Sequence, residues 1–235
     1  NTPEGFVFSA KIPKLITHDK RLDLEKGVMA DLFRFLDLMK PLIKAGKLGP
    51  VLLQLPPSFS YDKDYDRLRS FIEAAPKDIL LAVEFRHLSW LKGQVNELLR
   101  KHNIANVIVD EPLLPPDVNI TADFSVVRWH GRGTRPWYNY RYGDAELDAW
   151  KPKVDEISKK TKKVYGYFNN HFHGFAVEAA LKMLEKVGGA SPQHEEVLKK
   201  VTGYLDKRKE GETERKEASL LEYLDDRSAH YGRRR

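Results

Sequence analysis

The sequence predicts an α/β protein built on a parallel sheet, and among such folds a TIM-type (β/α)8 barrel. Two observations carry this prediction. Six strand-like runs, short and rich in branched or aromatic residues, alternate with stretches whose apolar residues recur at helical spacing, the pattern of a parallel sheet covered by helices. In every run the polar residues fall at the carboxyl end: Lys11, Gln54, Glu84 with Arg86 and His87, Asp110 with Glu111, Arg128 with His130, and Asn169, Asn170 and His171. A barrel collects its functional groups on that face from several strands. A doubly wound nucleotide-binding sheet would carry a glycine-rich phosphate fingerprint, and none follows any of these strands.

Residues 5–11 (GFVFSAK) read as the first strand, closed by Pro13. Residues 16–21 are polar and predict a loop, with Thr17 or Asp23 as the cap of the next helix. Leu32, Phe35, Leu36, Met39, Leu42 and Ile43 then recur at helical spacing, and Pro41 is expected to kink that helix or begin a new one. Residues 51–55 (VLLQL), stopped by Pro56 and Pro57, have the continuous apolar character of a strand covered on both faces.

Tyr65, Leu68, Ile72 and Ala75 mark an amphipathic helix that ends at Pro76, residues 80–87 a third strand, and Leu91, Val95, Leu98 and Leu99 its helix. The fourth strand, 106–110, runs into a proline-rich loop, and the fifth, 124–130, into a long loop, 131–143. Leu147, Trp150, Val154 and Ile157 predict a helix leading to the sixth strand, 163–168, where Val164, Tyr165, Tyr167 and Phe168 suit a pleated, half-buried segment. Ala176, Ala180, Met183, Leu184 and Val187 form the helix after it, stopped by Gly188 and Gly189.

Ser191 and Pro192 are a good helix start, serine as cap and proline in the first turn. The division expected is a barrel over residues 1–190 and a helical extension over 191–235. In that extension 207–216 is a solvated charge run, Leu220, Leu221, Tyr223 and Leu224 are available to dock, and the last three arginines fray.

Composition narrows the class of protein. With 41% hydrophobic and 11% aromatic residues the 235-residue chain can fill a sizeable core. No apolar stretch approaches the roughly 20 residues that cross a bilayer, no signal-peptide pattern is present, and a cytoplasmic location is expected. The absence of cysteine excludes disulfides, thiolate zinc sites and a cysteine nucleophile. A net charge of +6 biases the chain mildly towards anionic partners, too diffusely to indicate nucleic acid. The first residue is Asn1 rather than methionine, so further residues upstream are expected.

Several segments together resemble the DUF72 (YecE-like) family: residues 5–11, 16–18 (ITH), 47–57 (KLGPVLLQLPP), 83–87 (VEFRH) with Ser89 and Trp90, 127–131 (VRWHG) and 167–171 (YFNNH). The likeness runs in order over about residues 2–185, and the tail after Ala190 lies outside it. The resemblance implies a TIM-type barrel of which this chain holds only six βα units, strands 3–8, because two further strands precede Thr2 in the family. An open barrel with two raw sheet edges would be prone to aggregate. The resemblance implies a fold and a site, without a reaction.

The candidate site residues follow from strand parity. Alternation puts Glu84 and Arg86 on one face with Phe85 opposite, and Arg128 and His130 on one face with Trp129 opposite. A carboxylate beside guanidiniums either braces a barrel or holds a polar ligand, and strand-end position favours the ligand. A guanidinium fork suits carboxylate or phosphate, and a nearby imidazole can move a proton. One asparagine would suffice as a helix cap; Asn169, Asn170 and His171 in succession exceed that need. His173 reads as a surface residue of the first helical turn.

Loop 131–143 carries Arg132, Arg135, Trp137, Tyr138, Tyr140 and Arg141, either a lid or a rim whose aromatics pack down and whose arginines are solvated.

The leading expectation is a metal-independent acid–base enzyme for a small anionic substrate, phosphorylated or carboxylated, with no cofactor. Glu84, His130 and His171 would be catalytic, and Lys11, Arg86, Arg128, Asn169 and Asn170 would bind substrate. The alternatives are a metal-dependent phosphoesterase or nuclease using Glu84, Asp110, His130 and His171 as ligands, and a nucleic-acid-binding protein using the basic aromatic loop without catalysis.

Overall fold

The computed structural model describes residues 2–91, 94–114, 116, 118–134 and 136–211. Arg135 and the docking and fraying expected beyond residue 211 lie outside the described residues.

The described strands form two parallel groups. One holds β1 (Phe8–Lys11), β2 (Leu48–Gln54), β3 (Leu81–Glu84) and β4 (Ala105–Asn106), paired in that order; the other holds β5 (Ile108–Asp110), β6 (Phe124–Trp129) and β7 (Lys163–Phe168). β4 and β5 are one run of chain that changes partner at Val107, whose N–H donates to the Val83 carbonyl at 2.9 Å. Before it, Ala105 and Asn106 face β3; after it, Ile108 to Asp110 face β6. The fourth predicted strand therefore joins the two groups.

The parallel α/β class stands, but a closed barrel is not what the described strands form. No ladder joins β1 to β7 among the described residues. A ladder needs backbones about 4.8 Å apart, and here the contact is made by side chains, Ser9 Oγ with the Tyr167 hydroxyl.

Strand alternation sorts the apolar residues into three layers. Val51, Leu53, Leu81, Val83 and Phe85 pack outward against α1 (Val28–Lys44), α2 (Tyr61–Ala74) and α3 (Gln94–Lys101). Ile108, Val127, Trp129, Val164 and Phe168 pack against α4 (Asp144–Lys160) and α5 (Phe175–Lys186) through Leu147, Trp150, Ile157, Ala179 and Met183. The residues between them, Leu52, Ala82, Ala105, Val107, Val109, Val126, Tyr165 and Tyr167, make an inner apolar layer. Gly166 lets Trp129 lie flat on Phe168 (centroids 4.5 Å apart, 9° between planes), since a Cβ there would come within 3.0 Å of the indole.

Of the two outcomes expected at Pro41, a new helix does not begin there, and two other local expectations are corrected. α1 runs through Pro41 without ending or restarting; the carbonyl freed by the missing proline N–H belongs to Asp37, on an exposed turn where water can take it. Residues 15–19 are not an open loop but a π-helical turn that buries Ile16 and Thr17 completely. Asp23 caps the short 3-10 turn Leu24–Lys26 rather than α1, accepting from Glu25 N at 3.1 Å.

α4 starts where expected, Glu146 reaching back to the Gly143 N–H at 2.9 Å, with lysines in its last turn to suit the helix dipole. Residues 192–211 form a further helix, α6, with Ser191 Oγ accepting from the His194 N–H at 3.5 Å. Among the described residues no helix is long and apolar enough to cross a membrane.

Candidate functional site

The inner faces of β3 and β6 end in charge. Glu84, the last residue of β3, has a fully buried carboxylate that pairs with Arg86 through one oxygen and with Arg128, near the end of β6, through the other. Arg86 also pairs with Glu111, just past β5. Burial raises the Glu84 carboxyl pKa, but the His130 imidazole and the guanidiniums of Arg128 and Arg86 outweigh it and bring the value down to about 2. Glu84 is thus a fixed anion at any physiological pH. Glu111 behaves oppositely: burial pushes its carboxyl above the ordinary range despite Arg86.

His130 closes the cluster. Its Nε2 lies 3.0 Å from Arg86 Nη2 and 3.5 Å from Glu84 Oε1. A guanidinium can only donate, so Nε2 accepts from Arg86 in the tautomer that leaves it bare; in the other it donates to Glu84, whose carboxyl it then helps to keep ionised. Burial lowers the imidazole pKa, and Glu84 opposes that shift without reversing it, which favours the neutral ring. Asn169 Nδ2, an N–H donor, lies 3.1 Å from Nδ1, so both ring nitrogens face a donor and the proton of the neutral ring stands against one of them. Among the described residues Arg86 Nε is buried with no hydrogen-bond partner, a donor still unused inside the cluster.

Below the charges lies a cavity of about 290 Å³ lined by Ser9, Lys11, Leu52, Arg128, Tyr167 and Asn169, among others. Burial, then the proximity of Arg128, lowers the Lys11 ammonium pKa, with Glu84 opposing and Arg86 adding to the effect. A larger cavity of about 400 Å³ lies on the opposite face of β7, against α4 and α5. It is remote from this cluster in chemistry as well as position, being lined mainly by apolar residues with Lys162 and Lys163 at its end.

Of the residues singled out in the sequence, Lys11, Glu84, Arg86, Arg128, His130 and Asn169 come together here. Asn170 and His171 do not. Asn170 is fully buried and donates to the Tyr140 carbonyl at 2.8 Å, tying β7 to the long loop. His171 is exposed and stacks on Tyr138 (centroids 5.4 Å apart, 19°). Glu111 was legible only as one more polar residue at a strand end; its pairing with Arg86 needed the handover at Val107 to be seen.

Asp110 faces the other way. Its strand partner is Trp129, on the helix side of the sheet, where its carboxylate accepts from Arg132 Nε at 3.0 Å, the Tyr142 hydroxyl at 3.0 Å and Trp150 Nε1 at 3.2 Å. Asp110 therefore holds the long loop and is separated from Glu84 by the sheet. Among the described residues no group of three or more histidine, aspartate or glutamate side chains is placed to hold a metal ion.

The loop 131–143 packs down as a rim, and two of its arginines are ion-paired, Arg132 while still about half exposed and Arg141 more deeply. Arg132 pairs with Asp110, and Arg141 makes a two-pronged pair with buried Glu178 of α5 (2.7 and 2.6 Å) while reaching Asp206 of α6 at 2.8 Å. Thr202 of α6 adds a bond to Glu178 at 3.1 Å. Gly131 turns the chain at φ +91°, where a Cβ would stand 2.6 Å from the Trp137 carbonyl oxygen.

Fold and site together define a parallel α/β protein with a carboxylate-braced cluster of cations at the carboxyl ends of its strands. The family model described as "Protein of unknown function DUF72" matches residues 1–201, and the chain belongs to that family. The UPF0759 protein YunF of Bacillus subtilis (strain 168) is 30% identical over 210 residues, covering 78% of this chain and 74% of that protein. Among solved structures, a DUF72 family protein of Thermotoga maritima MSB8 superposes with a TM-score of 0.72 at 33% identity, over 80% of this chain and 75% of the other. One from Enterococcus faecalis V583 gives 0.70 at 28% identity, over 80% of each chain.

Proposed function

We propose that this protein is an enzyme that binds a small phosphorylated or carboxylated substrate at the carboxyl ends of β1, β3 and β6 and acts on it by acid–base chemistry. The observation that carries the reading is the charge balance of the cluster. Three cations, Lys11, Arg86 and Arg128, meet two carboxylates, Glu84 and Glu111, and both carboxylates are already engaged by the arginines. The surplus positive charge borders a cavity of small-molecule size, where an anion would supply what the protein does not.

In this reading Arg128 and Lys11 contact the anion and Arg86 offers its unused Nε. Glu84, with a carboxyl pKa near 2, is too weak a base to carry protons and instead orients both guanidiniums. His130, neutral and held by Arg86 and Asn169, is the proton carrier. His171 and Asn170 drop out of the mechanism. Arg132 and Arg141 are committed to Asp110 and Glu178, which argues against a loop that grips nucleic acid.

The strands are read as the third to eighth of a (β/α)8 barrel, supported by their uniformly parallel order and the inner apolar layer. The helix from residue 192 is read as the start of an extension latched to that domain through Asp206 and Thr202.

The test is a thermal-shift screen of phosphorylated and carboxylated metabolites. A hit should lose its stabilising effect in Arg128→Ala and keep part of it in Arg128→Lys. Stabilisation unchanged in Arg128→Ala would remove Arg128 from the site.

A further inference from the structure

We propose that Lys11 is an amine nucleophile that holds a carbonyl substrate in the inner cavity as an imine. Lys11 ends β1 and lines the cavity together with Ser9, Tyr167, Arg128 and Asn169. Among the described residues no carboxylate pairs with its ammonium; Glu84, the acid it senses, is taken up by Arg86 and Arg128. Lys11 is itself exposed, but it lacks an anionic partner among these residues and lies amid other cations, a setting that favours the free amine.

The charged groups around it are Arg128 from β6, Glu84 and Arg86 from the end of β3, and His18 from the turn after β1. Of these only Glu84 favours the ammonium, and burial with the two arginines outweighs it, so the pKa falls. At any given pH Lys11 therefore offers more free amine than an ordinary surface lysine.

The chemistry balances with the substrate alone. The Nζ lone pair adds to the carbonyl carbon, forming a C–N bond, and the C=O π pair moves to oxygen. That oxygen takes a proton, the nitrogen gives one up, and loss of water leaves the C=N bond. Around the reacting carbon, Tyr167, Ser9 and Asn169 supply hydroxyl and amide groups on the same wall, able to hydrogen-bond a carbinolamine oxygen. Once formed, the protonated imine restores at Nζ the positive charge that the free amine lacks, so the proposal rests on the anion-site reading for the substrate's charge, but not for the reactivity of the amine.

Reductive trapping tests the two separately. The full chain is treated with glyoxylate, an anionic carbonyl, or with propanal, a neutral one, in the presence of cyanoborohydride, and adducts are mapped by peptide mass spectrometry. Lys11 should be labelled several-fold above the median of the other lysines by both probes, with glyoxylate ahead. Lys11→Arg should lose that peptide's adduct. Arg128→Lys, chosen to keep the charge and the fold, should lower the ratio of glyoxylate to propanal adduct at Lys11.

Preferential labelling by propanal without a glyoxylate advantage would keep the nucleophile and overturn the anion reading. Labelling of Lys11 no stronger than the median lysine by either probe, in protein whose melting curve is unchanged, would overturn the nucleophile and leave the anion reading to its own test.

Discussion

Replacing Glu84 by glutamine keeps the side chain's shape and removes one charge from the centre of the cluster. The ordinary carboxyl value of 4.5 falls to about 2 in the folded chain. With 1.36 kcal/mol for each unit, that depression contributes about 3 kcal/mol of stability at pH 7. The carboxylate is fully buried, so no solvent screening reduces the figure.

Because the folded value lies below the unfolded one, the contribution is complete above about pH 5 and is lost as pH falls towards 2, with less than half of it left at pH 3. Glu84→Gln should therefore unfold at lower urea than the parent, with a free-energy gap of about 3 kcal/mol at pH 7 that shrinks to less than half at pH 3. Urea titrations of both proteins at the two pH values, followed by tryptophan fluorescence, give the gap directly. A gap of the same size at both would trace the loss to packing and refute the assignment of Glu84 as the clamped anion between Arg86 and Arg128.

Other outcomes follow from single contacts. Arg141→Ala strands the buried Glu178 carboxylate and should cost about 3 kcal/mol, with early proteolytic cleavage within α6 as the second readout because Asp206 loses its partner. Since Arg141 holds the Glu178 pKa below the ordinary range against burial, that cost should shrink as pH falls into the carboxyl range. Gly131→Ala meets both a positive φ and the Trp137 carbonyl, and should lower stability by about 1–3 kcal/mol in a calorimetric melt. His130, with its pKa lowered chiefly by burial, should show ring ¹⁵N shifts closer to those of a neutral imidazole at pH 6 than an exposed histidine does. Asp110→Asn should raise no ligand dissociation constant beyond what its loss of stability explains, because its contacts are Arg132, Tyr142 and Trp150.

Much of the frame was legible because strand period and strand-end polarity are local signals. The parity argument for residues 84–86 and 128–130 needs only the alternation of a strand, and Phe85 and Trp129 do face the helices while Glu84 and Arg128 face inward. Register between distant strands is not local. Val107 gives no sign in the sequence that the chain changes partner there, yet that change is what brings Glu111 to Arg86. The exposed stack of His171 on Tyr138 depends on a loop that precedes it by more than thirty residues, and no periodicity encodes that approach.

The contrast between Glu84 and Asp110 shows how parity divides structure from function in this chain. Both are acidic, both end a parallel strand, and both are buried. Glu84 is followed two residues on by Arg86, and its carboxylate pairs with that residue and with Arg128, which lines the inner cavity. Asp110 stands in register with Trp129, so its carboxylate emerges among α4 and the long loop, where an indole, a phenol and an arginine saturate it. A carboxylate satisfied by fixed donors can only hold a loop. One clamped between two arginines that keep further donors free can position those donors for a ligand, and it is on the inner face that a surplus of such donors remains.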